Sequence, residues 1–385
     1  MSSGYNFDDI RPYRDEEVQS VLQRLSKDPV FRKVLLQVFK TDEEVDKILS
    51  TFPNINSVND FQKNYSYLGF SKIAEGTTKG LTTGGLDHLE KEQSYLFISN
   101  HRDIILDSGF LNIEMLDNGL NTTEIAIGSN LLIYQWIEDL VKINRSFVVK
   151  RDIPVKQMLE ASKTLSAYIR QTISSHGDSI WIAQKEGRTK DGNDQTQIAL
   201  LKMLNISNGN DFVTGFNELN IVPMGISYEI EPCGAEKVNE MIQRAKNPDF
   251  RKTQEDDLFA MAHGLKANKG RVHFSFGVPI KLDPQDFTGK NKNQQFKALK
   301  VLIDRRIYKN YKLWPNNYVA HDLKHNSDRH SAFYTQKEKQ EFIGLMHDRL
   351  SQYNIDNEEG QLRFIDMYAM PLINFKKHFG SLVKK

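Results

Sequence analysis

A histidine and two aspartates occur close together in residues 97–107, directly after a short apolar run. A neutral imidazole can accept a proton from a hydroxyl group, and a carboxylate bonded to its other nitrogen fixes the tautomer and stabilises the imidazolium. His101 is the candidate base, and either Asp103 or Asp107 could supply the carboxylate. The alternative is structural: His101 would cap a helix, and Asp103 would lie in its first turn.

Two further clusters follow predicted strands and carry positive charge. Lys142, Arg145, Lys150 and Arg151 surround an apolar run at 147–149. A polar loop after another apolar run contains Glu186, Gly187, Arg188 and Lys190. Guanidinium and ammonium groups at strand ends suit a phosphate monoester. The alternative for both clusters is a solvated surface with internal ion pairs.

Other chemistries find less support. The start of the first cluster imitates a protein-kinase catalytic loop, but Ser108 stands where that loop needs asparagine. Residues 80–85 lack the lysine of a Walker loop and are predicted to be a turn. The histidines do not pair with cysteine or carboxylates at the spacing of a closed zinc site, so we predict no metal site.

Hydrophobic periodicity indicates the elements that position these clusters. Amphipathic helical patterns fill the first 80 residues, which we interpret as a helical bundle. Short apolar runs at 95–99, 147–149, 180–183, 221–224 and 272–276 then alternate with helical segments, as in a layered α/β domain. We predict this domain over 81–290 and a helical extension packed on it over 291–385.

Composition limits the partners and the compartment. The 385 residues carry 51 Lys and Arg against 50 Asp and Glu, so no global basic field argues for nucleic acid. A single cysteine, Cys233, and an N-terminus without the pattern of a signal peptide favour the cytoplasm. The longest uncharged stretch, 125–137, is too short to span a membrane.

Taken in order, four blocks between Asn100 and Glu229 resemble those of the glycerolipid acyltransferases, which act on glycerol-3-phosphate and lysophosphatidate. They are the histidine block, the arginine-bearing strand before Arg151, the Glu186-Gly187-Arg188 loop and the proline-containing run at 221–229. The resemblance covers about residues 83–285 and departs from the family at two points. The family has His-x4-Asp where Asp107 gives His-x5-Asp, and Glu-Gly-x-Arg where this loop is one residue shorter.

The resemblance implies an α/β fold with a layered mixed sheet flanked by helices, and acyl transfer from an acyl thioester to an acceptor hydroxyl. His101 would be the general base, oriented by Asp107, which we favour, or by Asp103. The expected substrate-binding residues are Arg102, Lys150, Arg151, Glu186, Gly187, Arg188 and Lys190. No cofactor is implied, because acyl-CoA or acyl carrier protein would be the co-substrate.

The resemblance allows three acceptors: glycerol-3-phosphate, a lysophospholipid and an N-acyl amino acid of the lyso aminolipid type. A non-catalytic lipid-binding module of the same fold is the alternative from another class. An apolar segment near the C-terminus, including Phe364, Met367 and Leu372 and followed by lysines, either contacts the inner face of the cytoplasmic membrane or packs on the domain.

Overall fold

The computed structural model describes residues 4–380, and in that part of the chain seven strands form one sheet. The strands are β1 (Leu81–Gly84), β2 (Leu96–Ser99), β3 (Glu124–Gly128), β4 (Ser146–Val149), β5 (Ile180–Ala183), β6 (Ile221–Tyr228) and β7 (Val272–Phe276). Their order across the sheet is β1-β7-β6-β2-β5-β3-β4. β6 and β7 are antiparallel and all other neighbours are parallel, which confirms the predicted mixed α/β fold.

Helices precede, flank and follow the sheet. Those before β1 are α1 (Val18–Lys27), α2 (Pro29–Phe39), α3 (Asp42–Thr51), α4 (Val58–Phe61) and α5 (Tyr67–Thr77). Those between β2 and β7 are α6 (Leu106–Asp117), α7 (Gln135–Ile143), α8 (Val155–Gln171), α9 (Ile198–Asn205), α10 (Phe212–Asn217), α11 (Gly234–Lys246) and α12 (Gln254–Lys266). Those after β7 are α13 (Pro284–Phe287), α14 (Lys292–Lys309), α15 (Pro315–Lys324), α16 (Gln336–Ser351) and α17 (Glu358–Phe379).

The alternation of side chains along the strands gives the sheet two buried faces. Leu96 and Ile98 of β2 join the core on the side of α8 and α14. Phe97, between them, joins the opposite core with Phe110 of α6. Because successive strand residues point to opposite faces, a strand covered by helices on both sides must be apolar throughout. That is why the central strands stand out in the sequence.

Two strands were missing from the sequence-based prediction. β1 lies in the segment that we predicted to be a turn. Among the described strands it is an edge strand that pairs with β7 alone, and its residues are at least partly exposed, so it lacks an apolar signature. β3 begins at Glu124, a charged residue whose buried carboxylate accepts a hydrogen bond from the Tyr168 hydroxyl at 2.6 Å. Burial raises the pKa of Glu124 to about 7.

The helices outside the sheet form two further cores. Residues of α1, α2 and α4, among them Leu25, Phe31 and Phe61, pack with Ile143 of α7. The last helices pack together, and the apolar residues Phe364 and Leu372 of α17 lie inside that core. The C-terminal segment therefore packs on neighbouring helices instead of offering an apolar face. In the described part of the chain, no helix combines the length and hydrophobicity needed to cross a membrane.

One close approach joins the N-terminal helices to the helix that carries the candidate site. Gly109 lies in α6, and a Cβ atom at this position would come within 2.3 Å of the Phe70 ring of α5. Glycine is therefore required here for α5 and α6 to lie in contact. Phe70 and Gly109 also form part of the wall of a large cavity.

Candidate active site

His101 lies two residues beyond the end of β2, in the turn that leads into α6. Its Nδ1 atom is 2.8 Å from Oδ2 of Asp107, which belongs to the first turn of α6. A carboxylate accepts from an N–H group, so this contact places the proton of a neutral imidazole on Nδ1. Nε2 is then the free acceptor nitrogen of a side chain that is 13% exposed.

Asp107 is fully buried, and hydrogen bonds satisfy its carboxylate from several directions. Oδ2 accepts from the backbone N–H groups of Arg102 at 2.6 Å and Asp103 at 3.1 Å, in addition to His101. Oδ1 accepts from the Tyr228 hydroxyl at 2.9 Å. Burial and the neighbouring Asp107 raise the pKa of Tyr228 well above its usual value, so the phenol remains a donor.

The structure separates the two aspartates that the sequence left open. Oδ1 of Asp103 accepts from the backbone N–H groups of Ile105 and Leu106 at 3.0 and 2.9 Å. These bonds satisfy donors at the start of α6, which is the role of a capping residue. Among the described residues, the hydrogen bond of the His101 ring goes to Asp107 and not to Asp103, which corrects our listing of Asp103 as an alternative catalytic residue.

Neighbouring strands fix the end of β2 from both sides. The Asn100 side chain exchanges two hydrogen bonds with the backbone of Ile226 in β6, at 2.9 and 2.8 Å. The His101 ring lies edge-on to the Trp181 ring of β5, with centroids 5.5 Å apart. The backbone carbonyl of His101 accepts from the N–H of Thr189 at 2.9 Å. The candidate base is therefore held on rigid elements, as a preorganised site requires.

His101 lines a cavity of about 1990 Å³ that is open to solvent. Such a volume exceeds the roughly 300–1000 Å³ of common small-ligand pockets. Apolar side chains of α2, α6, α8 and α12 form much of its wall, among them Val34, Val38, Ile113, Leu165 and Met261. The cavity therefore has room for two substrates and an apolar surface for one of them.

The polar part of the wall is strongly positive. The lining residues include eleven Lys and Arg against five Asp and Glu, although the whole chain is nearly neutral. Arg188 is the clearest binding candidate, because its buried Nη1 has no hydrogen-bond partner among the described residues. A buried donor without an acceptor carries a free-energy cost that an anionic ligand would remove.

Three other expected residues line this wall and form ion pairs there. Arg151 lies 3.0 Å from Glu186, and Lys190 lies 2.6 Å from Glu240. Gly187, between Glu186 and Arg188, adopts a left-handed backbone with φ of +69°, and a Cβ atom there would meet nothing within 4 Å. Its conformation shapes the loop. The expected roles of Arg151, Glu186, Gly187 and Lys190 thus fall on residues that share one cavity with His101.

Two of the expected substrate-binding residues fit a substrate-binding role less well than those four. The Arg102 guanidinium does not line the cavity and lies 2.5 Å from the carboxylate of Asp194, which is fully buried. An arginine consumed by a buried ion pair is structural, so we correct its assignment. Lys150 lines the cavity but is 41% exposed and lies 3.2 Å from Asp9.

Sequence reasoning missed several residues of this site. Tyr228 sits in a run that indicates only a buried strand, and nothing there shows that its hydroxyl reaches Asp107. Lys185 precedes the predicted loop residues, lines the cavity, and has its pKa lowered by burial. Arg251 and Lys252 also line it and come from the segment between α11 and α12, which has no recognisable motif. Lys185 could have been predicted as a site residue from the sequence, because it directly precedes the Glu186-Gly187-Arg188 loop.

Comparisons with known proteins add little to this geometry. No family model matches the chain, and no curated protein matches it. Among solved structures, the chain is similar to the 1-acyl-sn-glycerophosphate (LPA) acyltransferase PlsC from Thermotoga maritima, with 11% sequence identity and a TM-score of 0.39. The match covers 76% of this chain and 94% of that chain. A similarity this weak assigns no activity, so the chemistry has to come from the site itself.

Replacing Tyr228 with phenylalanine tests the hydrogen-bonded support of Asp107. The variant leaves one buried carboxylate oxygen without its donor, and we expect the free energy of unfolding to fall by about 1–3 kcal/mol. Chemical denaturation at neutral pH measures the change. Tyr134→Phe is the matched control, because Tyr134 is 54% exposed. Equal stability of the two variants would contradict the assigned role of Tyr228.

Proposed function

We propose that this chain is an acyltransferase that moves a fatty acyl group from an acyl thioester to a hydroxyl of glycerol-3-phosphate or a lysophospholipid. The observation that carries the proposal is the His101–Asp107 pair, which leaves Nε2 free in a cavity with both apolar and cationic walls. A base alone would suit many reactions. A base that shares a cavity with an apolar wall and several cations suits lipid acylation.

The cations support a phosphate-bearing acceptor. Arg188 offers a donor that has no hydrogen-bond partner among residues 4–380, and Arg151, Lys185 and Lys190 line the same cavity. Arginine can bind a phosphate through two parallel hydrogen bonds, and lysine adds a point charge. An acceptor held by its phosphate would present its hydroxyl at a fixed place, and such positioning accounts for much of the rate enhancement in two-substrate reactions.

The reaction follows from the state of the histidine. The acceptor hydroxyl transfers its proton to Nε2 of His101, while its oxygen forms a bond to the carbonyl carbon of the thioester. The carbon–sulfur bond then breaks, and the departing sulfur takes the proton from Nε2. An ester and a free thiol are formed, and the imidazole returns to its neutral state.

Asp107 acts through His101 and does not contact the substrates. Its carboxylate accepts the Nδ1 proton and faces the imidazolium that forms during the reaction. The opposite charge stabilises that intermediate protonation state, and the fixed tautomer keeps Nε2 unprotonated beforehand. Because Asp107 also accepts three hydrogen bonds from other groups, its position does not depend on His101.

The first test is release of free thiol from acyl-CoA and acyl carrier protein donors in the presence of glycerol-3-phosphate, a lysophosphatidate or an N-acyl amino acid. We expect acceptor-dependent release that falls by about 10²- to 10⁴-fold in His101→Ala and in Asp107→Asn. His347→Ala, an exposed histidine, is the control. Full activity of His101→Ala, with correct folding of all variants, would exclude the proposed base.

Arg188→Gln tests the phosphate site separately from the base. Loss of a charge-assisted hydrogen bond worth about 1.5–3 kcal/mol should raise the KM for a phosphate-bearing acceptor by roughly 10- to 100-fold. The rate with a monoacylglycerol, which lacks the phosphate, should change little. Lys337→Gln is the control, because it also removes one positive charge, but from a highly exposed side chain. An equal loss with both acceptors would argue against phosphate binding by Arg188.

We also propose that the protein works in the cytoplasm at the inner face of the membrane, where lipid substrates reside. Support comes from α8, where Val155, Met158 and Leu159 are 82%, 52% and 60% exposed, and where Met158 also lines the cavity. Leu159→Glu should reduce co-sedimentation with anionic vesicles at low salt, because it places a charge in the apolar contact. Unchanged co-sedimentation would remove α8 from the contact.

A further inference from the structure

A second group of convergent side chains lies outside the cavity, where α15 and the following loop meet α17. His321 and Asp322 belong to the last turn of α15, and His330 ends the loop. One ligand atom from each lies within 4.8 Å of the other two. All three residues are buried, with exposures of 5%, 1% and 7%. The fold of the loop brings His330 back to His321 and Asp322, so the spacing of these residues in the sequence does not match a zinc-binding motif.

The hydrogen-bonding capacity of His321 is incompletely used. Its buried Nδ1 has no hydrogen-bond partner within residues 4–380. The nearest carboxylate oxygen, Oδ1 of Asp322, is 3.7 Å away, too far for a hydrogen bond. Two ligand atoms that each bind one tetrahedral Zn²⁺ at about 2.0–2.2 Å lie roughly 3.3–3.6 Å apart. The 3.7 Å between Nδ1 of His321 and Oδ1 of Asp322 is close to that separation.

Asp322 has one oxygen available for a cation. Its Oδ2 already accepts from the backbone N–H of His330 at 2.8 Å and from the Tyr334 hydroxyl at 3.0 Å. In the part of the chain that the structure describes, Oδ1 accepts a single long bond, from Ser327 at 3.2 Å. Oδ2 therefore orders the loop that carries His330, and Oδ1 faces Nδ1 of His321.

A cation already occupies the edge of this group. The Lys376 ammonium of α17 lies 3.4 Å from Nε2 of His321 and 3.2 Å from Nε2 of His330. Lys376 is near a helix end and only partly buried, so its flexible stem can move away.

We propose that Nδ1 of His321, Oδ1 of Asp322 and a ring nitrogen of His330 bind one divalent transition-metal ion of the Zn²⁺ class, which competes with the ammonium of Lys376 at His330. Two imidazoles and a carboxylate are ligands that Zn²⁺ accepts, and a tetrahedral ion would keep a fourth position open. The His325 ring lies beside that of His321, with 4.5 Å between the two centroids. Because the group does not line the cavity, the ion would fasten α15 to its following loop.

The test is calorimetric titration of the metal-free full-length chain with Zn²⁺, together with thermal melting. We expect one ion per chain and a higher Tm with Zn²⁺. His321→Ala and His330→Ala should each weaken binding by at least about tenfold and abolish the Tm shift. His347→Ala, which removes an exposed histidine paired with Asp356, should bind as the wild type does.

Lys376→Met supplies the decisive variant, since it keeps every ligand and removes the competing cation. It should bind Zn²⁺ several-fold more tightly than the wild type. This result also decides the matter if a histidine variant fails to fold. Absence of binding in both the wild type and Lys376→Met, or affinity that none of these substitutions alters, would overturn the proposal.

Discussion

The buried carboxylate of Asp107 is the interaction on which the site depends. A buried charge is costly in free energy unless hydrogen bonds compensate for the lost solvent. Four groups donate hydrogen bonds to this carboxylate: His101, Tyr228 and the backbone N–H groups of Arg102 and Asp103. These donors come from the β2–α6 turn and from β6. The same carboxylate therefore closes the turn, joins it to the neighbouring strand and orients the imidazole. Folding and the proposed chemistry rely on one set of bonds.

The cavity shows how a nearly neutral chain can provide a strongly cationic site. Charges on the lining are unbalanced, with more than twice as many basic as acidic residues. Glu240 nevertheless pairs with Lys190, Arg244 and Lys252, so part of this positive charge is held in place by a buried acid. Within residues 4–380, Nη1 of Arg188 has no hydrogen-bond partner. Pairing with Glu240 thus holds three of the cations together in the absence of ligand.

Sequence patterns revealed the central strands because burial on both faces demands apolar residues throughout. They also placed His101 at a strand end. Residue patterns alone left both Asp103 and Asp107 open, because the choice depends on how the turn folds. The resemblance favoured Asp107, although its spacing from His101 is one residue longer than in the family. Arg102 was misassigned for a related reason: its partner Asp194 is 92 residues away and enters through the fold alone. Long-range pairing likewise brought Tyr228 to Asp107.

The tautomer of His101 tests the account most directly. Nitrogen-15 NMR of histidine-labelled protein at neutral pH, with the signal assigned by its loss in His101→Gln, reports which ring nitrogen carries the proton. The hydrogen bond to Asp107 predicts the Nδ1–H form, with Nε2 unprotonated and available to accept a proton from a hydroxyl. A His101 ring protonated on Nε2 alone would contradict the account, because that nitrogen would then have no free pair with which to act as a base.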